Sequence, residues 1–396
     1  FSFYQSISQF KQQKPDDVMI IMVAPVIWNN TVKEFKTKPL QNAVRSLRQE
    51  GLVPEILFCR CDREVPEPIL DKVSRLTGAP REGVFEAPDV KTIYQVPIEF
   101  YNRHVDDLIA DKFHLPRKGV RIHKYRELVE RYTTEEDVPE INIGIVGKYE
   151  NCDEAYLSLK EALTHAAVNN HVKHNVVWIN AEELEEGPDM RSVWRHFDNI
   201  HGVIVPGGFD SRAVEGKIRA VQYCREKQIP YLGICLGLQC AVIEFARNVC
   251  GIENANSPEF DHMTEDPVIH FVKGQHEGLK KSGTMRLGAY ACELFKDTLV
   301  RDLYKKKFIS ERHRHRYEVN DEYVAQYEEK GFIVSGRNPE STPTNLVEMM
   351  ELDRSIHPYF VGTQAHPEFK SRLGGPAPLF DGLVKAAVER LNINDG

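Results

Sequence analysis

The stretch Tyr231-Leu-Gly-Ile-Cys-Leu-Gly-Leu-Gln239 constrains this chain more than any other. The apolar run 229–234 before it has the length and bulk of a buried strand. A helical pattern follows over 236–247. Between them Gly233-Ile-Cys-Leu-Gly237 puts one cysteine on a strand-to-helix turn, flanked by the two glycines that so sharp a turn requires. This is a nucleophile elbow with sulfur in place of a hydroxyl. At a helix N-terminus the dipole favours thiolate over thiol. A buried structural cysteine would read the same locally, so the elbow needs partners elsewhere in the chain.

Two other segments supply them. Pro206-Gly-Gly208 follows the apolar run 202–205, and its glycines let backbone N–H groups approach a ligand closely. Beside a nucleophile such groups form an oxyanion hole, worth about 3–4 kcal/mol per donor lost. A plain tight turn is the alternative. The second segment is Phe360-Val-Gly-Thr-Gln-Ala-His-Pro-Glu-Phe369. Pro367 favours an extended His366, and residues two apart in an extended chain point the same way. His366 and Glu368 then project together, an imidazole base with its orienting carboxylate.

Around these segments, strand and helix patterns alternate in two runs. The first has strands at 18–27, 54–61 and 84–87 and helices at 38–50, 67–76 and 96–110. The second has strands at 141–146, 174–179, 202–205 and the elbow strand, with helices at 153–167, 191–197 and 214–227. From 258 to 350 the pattern is less regular. Alternation of this kind predicts an α/β chain of two doubly wound, mostly parallel-sheet domains, with ligands beyond the carboxyl ends of the strands. The expected domains are 1–115 and 141–396. Residues 116–140, rich in charge and Pro and carrying a short helix at 125–132, would join them.

Composition narrows the class. With 41% apolar residues, 28% charged and a net charge of −8, the chain is expected to be a globular protein that binds neither nucleic acid nor membrane. Its longest apolar run, 19–28, is too short for a bilayer and contains Pro25. The eight cysteines are scattered, with no C-x-x-C pair; Cys59-Arg-Cys61 has the wrong spacing for a zinc knuckle. Reduced thiols and a cytoplasmic location are expected, with no metal site in this chain. The chain opens at Phe1 inside a helical pattern, which suggests an incomplete N-terminus.

Pro-Gly-Gly, Gly-Ile-Cys-Leu-Gly-Leu-Gln and His-Pro-Glu, in that order, resemble the class I glutamine amidotransferases. Further segments resemble one branch of them, the CTP synthases: Glu253-Asn-Ala-Asn-Ser-Pro-Glu-Phe260, Gly283-Thr-Met-Arg-Leu-Gly288, Glu311-Arg-His-Arg-His-Arg-Tyr-Glu-Val-Asn320 and Lys36-Thr-Lys-Pro-Leu-Gln41. The resemblance implies a partial synthetase (amidoligase) domain followed by a glutaminase domain. The implied reaction is ATP-dependent amination of UTP to CTP, with ammonia from glutamine passed between the two through a shielded passage. Cys235 would attack the glutamine amide, His366 would move protons and Glu368 would hold the ring. Gly208 would line the oxyanion hole, and Leu236, Gly237, Leu238, Gln239, Glu259 and Arg316 would bind glutamine. Glu259 and Arg316 suit the ammonium and carboxylate of a free amino acid.

In the first domain the resemblance assigns Lys36, Thr37, Lys38, Pro39, Leu40, Gln41 and Lys72 to UTP and to CTP as feedback inhibitor, and Pro88, Asp89 and Val90 to ATP. Lysines and a Thr at a helix start suit a triphosphate; a surface basic cluster would look the same. His313 and His315 lack the further ligands a zinc site needs, and a solvated basic strand is the alternative for Arg312 to Arg316. Magnesium with ATP, GTP as activator, a homotetramer and filaments are also implied.

The chain departs from the family pattern at Leu40, Asp210, Ala213, Pro258 and Ser282. Leu40 removes a hydroxyl from the nucleotide site, and Asp210 and Ala213 bear on the response to GTP. No G-x-x-x-x-G-K-[ST] loop occurs. In the family that loop and the magnesium ligands would precede Phe1, so the synthetase part is expected to lack its N-terminal portion. The alternatives are a glutaminase or γ-glutamyl hydrolase without synthetase activity, and a nucleotide-binding filament scaffold without chemistry.

Overall fold

The two alternating runs form separate units, Phe1–Thr134 and Glu135–Gly396. The computed structural model describes residues 2–116, 119, 122–134, 138–147, 156–186, 195–208, 213–271, 285–340 and 345–394. Asp210, Ser282, most of the charged stretches at 117–121 and 135–137, and the helix starts expected at 153–155 and 191–194 lie outside the described residues.

The first unit is built on three parallel strands, β1 (Ile21–Pro25), β4 (Ile56–Arg60) and β5 (Val84–Ala87), in the order β1-β4-β5. Side chains alternate across a strand, and β4 uses both faces. Leu57 and Cys59 meet Leu40, Val44, Leu70 and Val73 of the helices Lys38–Gln49 and Glu67–Thr77. Ile56 and Phe58 face Val105, Phe100 and Leu108 on the other side, with the Phe58 and Phe100 rings stacked 4.6 Å apart.

Three expectations are corrected here. The strand expected over 18–27 runs only Ile21–Pro25; a separate hairpin follows, β2 (Ile27–Asn29) with β3 (Glu34–Lys36). The single helix expected over 96–110 is two, Val96–Asn102 and Val105–Lys112. His104 breaks it with a left-handed φ of 56°, a conformation in which His is enriched. The short helix near 125–132 runs Ile122–Thr133, within the first unit.

The second unit carries one nine-stranded sheet. Its strands are β6 (Glu140–Gly147), β7 (Lys173–Asn180), β8 (Gly202–Val205), β9 (Tyr231–Ile234), β13 (Arg286–Leu294), β14 (Phe308–His315), β16 (Phe332–Arg337), β17 (Val347–Leu352) and β18 (Phe360–Thr363). Short pairs flank it: β10 (Ala255–Asn256) with β11 (Asp266–Pro267), and β12 (Ile269–Phe271) with β15 (Tyr317–Val319). The order is β14-β13-β16-β17-β18-β9-β8-β6-β7. From β18 to β7 every pairing is parallel; from β14 to β18 every pairing is antiparallel. The α/β architecture therefore holds, with the irregular region 258–350 supplying most of an antiparallel wing.

The central strands β8, β9 and β18 are buried along their whole length because helices cover both faces. Val203 and Val205 pack towards the helices Val214–Glu226 and Leu236–Asn248. Ile204, Leu232 and Ile234 pack towards Leu157–Asn169 and Pro378–Asn394. No described helix is long and apolar enough to cross a membrane.

Strands β8, β9 and β18 are neighbours in register, with Gly233 opposite Val205 and Ile234 opposite Thr363. They end on one edge and deliver Pro206, Cys235 and Gln364 side by side. Helix Leu236–Asn248 lies so close under β8 that a Cβ on Gly237 would meet the Val205 carbonyl oxygen at 2.1 Å. Gly237→Ala is expected to destabilise the protein by about 2–3 kcal/mol, seen as a lower urea midpoint at unchanged slope. An unaltered midpoint would refute this account of the elbow.

Candidate active site

Cys235 occupies the turn between β9 and its helix at φ 53° and ψ −101°. Its N–H donates to the Thr363 carbonyl at 2.7 Å, so β18 fixes the strained turn from one side. His366 leaves the end of β18, and its N–H donates to the Arg312 carbonyl on β14 at 2.8 Å. The expected extended run through His366 and Glu368 is replaced by a 3-10 turn, Pro367–Lys370, with Pro367 at its first position. Proline is favoured there because its missing N–H would have no partner anyway. The turn still brings His366 Nδ1 to 2.8 Å from Glu368 Oε1.

The imidazole's Nε2 is buried. A Cβ on Gly207 would lie 3.4 Å from both that Nε2 and the Cys235 Cβ, and 2.7 Å from His366 Cε1. The sulfur and the imidazole thus converge over a residue that has no room for a side chain. Burial lowers the proton affinity of His366, but Cys235 and Glu368 outweigh it through hydrogen bonding and charge, and push its pKa up to about 10. The ring is held as an imidazolium beside the sulfur. Phe369 stacks on it with centroids 5.4 Å apart.

A narrow cleft with about 10 Å³ of free volume opens on Cys235, lined by Gly208, Gln239, Glu259, His315, Arg316 and Tyr317. Glu259 and Arg316, distant in sequence from the elbow, therefore share its cavity. Burial pushes the Glu259 pKa up to about 7, against the pull of Arg316. Gln239 donates Nε2 to the Tyr317 carbonyl at 3.2 Å. Leu236 and Leu238 are buried in the core, and Gly237 lies against Val205. Ala213, at φ 60°, leads into the helix Val214–Glu226, and Pro258 is half-buried beside Glu259.

In the first unit, Lys36 closes β3 and pairs with Glu34 at 2.7 Å. Glu34 also feels Lys72, so the two lysines share one neighbourhood. Thr37 is buried and accepts Gln41 Nε2 at 2.9 Å; Lys38 and Pro39 open the helix Lys38–Gln49. Leu40 is fully buried in the core. Its side chain packs against the sheet. Pro88, Asp89 and Val90 follow the end of β5, where Asp89 pairs with Arg60. Among the described residues no group of three His, Cys, Asp or Glu side chains is placed to hold a metal ion.

The basic strand proposed for 312–316 is half right. Arg312 and Arg314 face outward, while Glu311, His313 and His315 are buried. The sequence reading missed Gln364, whose Nε2 lies 3.6 Å from Cys235 Sγ. It also missed a buried ion cluster centred on Arg286, with Glu318 and Glu348 each 2.7 Å from the guanidinium. The alternation of Glu311, His313 and His315 was the available signal, since period two on a strand gives one face to the interior.

The glutamine amidotransferase class-I family model matches residues 152–386, and the CTP synthase N-terminus model matches residues 1–115. The second match overturns the expectation that the synthetase part lacks its N-terminal portion: the CTP synthase N-terminus family is represented at residues 1–115. CTP synthase of Methanococcus maripaludis is 45% identical over 98% of this chain and 72% of the relative. CTP synthase of Caldanaerobacter subterraneus subsp. tengcongensis is 42% identical over 99% of this chain and 71% of the relative. Among solved structures, the Trypanosoma brucei CTPS glutaminase domain with bound acivicin superposes with a TM-score of 0.58 at 34% identity, covering 63% of this chain and 94% of that one. With both modules present in this order and close relatives aligned along nearly its whole length, the chain belongs to the CTP synthase family of glutamine-hydrolysing ligases.

Proposed function

We propose that Cys235, His366 and Glu368 hydrolyse glutamine in the second unit, and that the ammonia aminates UTP at the first. The observation that carries this is the convergence of Cys235 and His366 over Gly207, beside a cleft holding Glu259 and Arg316.

Glutamine enters with its ammonium towards Glu259 and its carboxylate towards Arg316. The Cys235 thiolate attacks the side-chain carbonyl carbon. The oxyanion is held by the Gly208 N–H and by the Leu236 N–H at its helix start, each worth about 3–4 kcal/mol at the transition state. His366 gives its Nε2 proton to the departing nitrogen, ammonia leaves and a glutamyl thioester remains. Neutral His366 then takes a proton from water as the water oxygen attacks the thioester. The C–S bond breaks, and glutamate and the thiolate are released. Glu368 holds Nδ1–H, so that Nε2 is the nitrogen that works.

In the first unit, Lys36, Lys38 and Lys72 offer positive charge to the phosphates of UTP, or of CTP as inhibitor, with Thr37, Pro39 and Gln41 shaping the helix start. Pro88, Asp89 and Val90 would meet ATP at the end of β5. ATP phosphorylates the 4-oxygen of uracil and ammonia displaces that phosphate, leaving CTP. Magnesium would accompany ATP; among the described residues no group of three His, Cys, Asp or Glu side chains is placed to hold it. GTP activation, a homotetramer, filaments and a cytoplasmic location complete the proposal.

Cys235→Ala is expected to lower glutamine hydrolysis by about 10⁴-fold or more and to abolish labelling by a glutamine-analogue electrophile. Retained hydrolysis would exclude Cys235 as the nucleophile. The pH behaviour separates two groups. Ammonium binding needs ionised Glu259, so KM for glutamine should rise by about tenfold per pH unit below pH 7, and Glu259→Gln should remove that limb.

His366 has its folded pKa raised from 6.5 to about 10. Its contribution to stability is therefore complete below about pH 6.5 and is lost as pH rises through about 10. Unfolding of wild type and His366→Gln at pH 6.5 and 10 should show the wild-type advantage shrinking. An advantage independent of pH would refute the imidazolium.

A further inference from the structure

Beneath the glutamine cleft the core is ionic. The inward face of β14 carries Glu311, His313 and His315, and the row continues into Glu318 on β15 and Glu348 on β17. Arg286, the first residue of β13, reaches both carboxylates: Nη1 donates to Glu318 Oε1 and Nη2 to Glu348 Oε1, each at 2.7 Å. Tyr290 covers the guanidinium at 4.4 Å. All these groups except Tyr290 are buried.

Each arm of this fork ends one residue or one hydrogen bond from the cleft. Glu318 follows Tyr317, whose carbonyl accepts both Gln239 Nε2 and His315 Nδ1 at 3.2 Å. The Glu348 carbonyl accepts the Gln364 N–H at 2.8 Å, and the Gln364 amide lies 3.6 Å from the Cys235 sulfur. Stability does not account for the cluster, because apolar side chains of similar volume generally match a buried ion pair. The position of its two ends does.

We propose that Arg286 is a positioning residue for glutamine hydrolysis, its forked bridge from Glu318 to Glu348 setting the Tyr317 wall of the cleft and the Gln364 amide against Cys235. This rests on the reading of that cleft as the glutamine site. The role needs two parallel donors in one rigid plane, which Arg has and Lys lacks.

Arg286→Met strands two buried carboxylates and so risks the fold. Arg286→Met/Glu318→Gln/Glu348→Gln removes the charges together and keeps the test open. In the full chain, the readouts are the unfolding midpoint, KM and kcat for glutamine hydrolysis, and alkylation of Cys235 by iodoacetamide and by a chloroketone analogue of glutamine. The triple variant should keep the midpoint and the iodoacetamide rate. Its glutamine KM should rise at least about tenfold, with chloroketone alkylation slowed by the same factor, and Arg286→Lys should fall between. A triple variant with wild-type KM and chloroketone rate overturns the role of Arg286 alone. Wild-type Cys235 that shows no preference for the chloroketone over iodoacetamide overturns the glutamine-cleft reading, and the role of Arg286 with it.

Discussion

Cys235 keeps a backbone conformation that residues with side chains avoid, at a cost on the order of 1–3 kcal/mol, and the rest of the second unit is arranged so that it cannot relax. Its N–H is held by Thr363 on one neighbouring strand, while Gly237 lies against Val205 at the end of the other. Because β18, β9 and β8 are adjacent and in register, the same hydrogen bonds that build the sheet also place the His366 imidazole and Gly207 beside Cys235. The site is a property of where three strands stop.

Burial then sets the charge states. The His366 imidazole is protonated because Cys235 and Glu368 more than offset its loss of water. His313, a few residues away in space, has no such compensation: burial, then the charges of Arg286 and His366, lower its pKa to about 3. His315 is lowered for the same reasons, with His313 adding to them. The two imidazoles lie 2.9 Å apart, and both feel the charges of Arg286 and His366. Burial raises the proton affinity of both Glu318 and Glu348, repulsion from Glu348 adds to it at Glu318, and Arg286 opposes it at both. A cluster of this kind is high-stakes: every group depends on the next, and its value lies in fixing geometry rather than in net stability.

Much was legible along the chain. The elbow, the Pro-Gly-Gly turn and the His-Pro-Glu segment each carry local signals, because glycine at a tight turn and proline at a helical first position answer to backbone sterics. The parallel strands were readable as continuous apolar runs for the same local reason. Where the reading slipped, the deciding contact was non-local. His366 and Glu368 meet across a 3-10 turn instead of along an extended run. Arg286 gave no sign of its role, since its two partners lie 32 and 62 residues away.

The sequence by itself determined the alternation of strand and helix, the position of Cys235 at a strand end and the pairing of an imidazole with a carboxylate at His366 and Glu368, all of which follow from periodicity and turn chemistry within a few residues. Only the tertiary structure decided that Glu259 and Arg316 share the sulfur's cleft, that His313 and His315 turn inward while their arginine neighbours turn out, and that one guanidinium ties two distant strands. Strand order and register are set by burial summed over the whole sheet, and no short segment contains that sum.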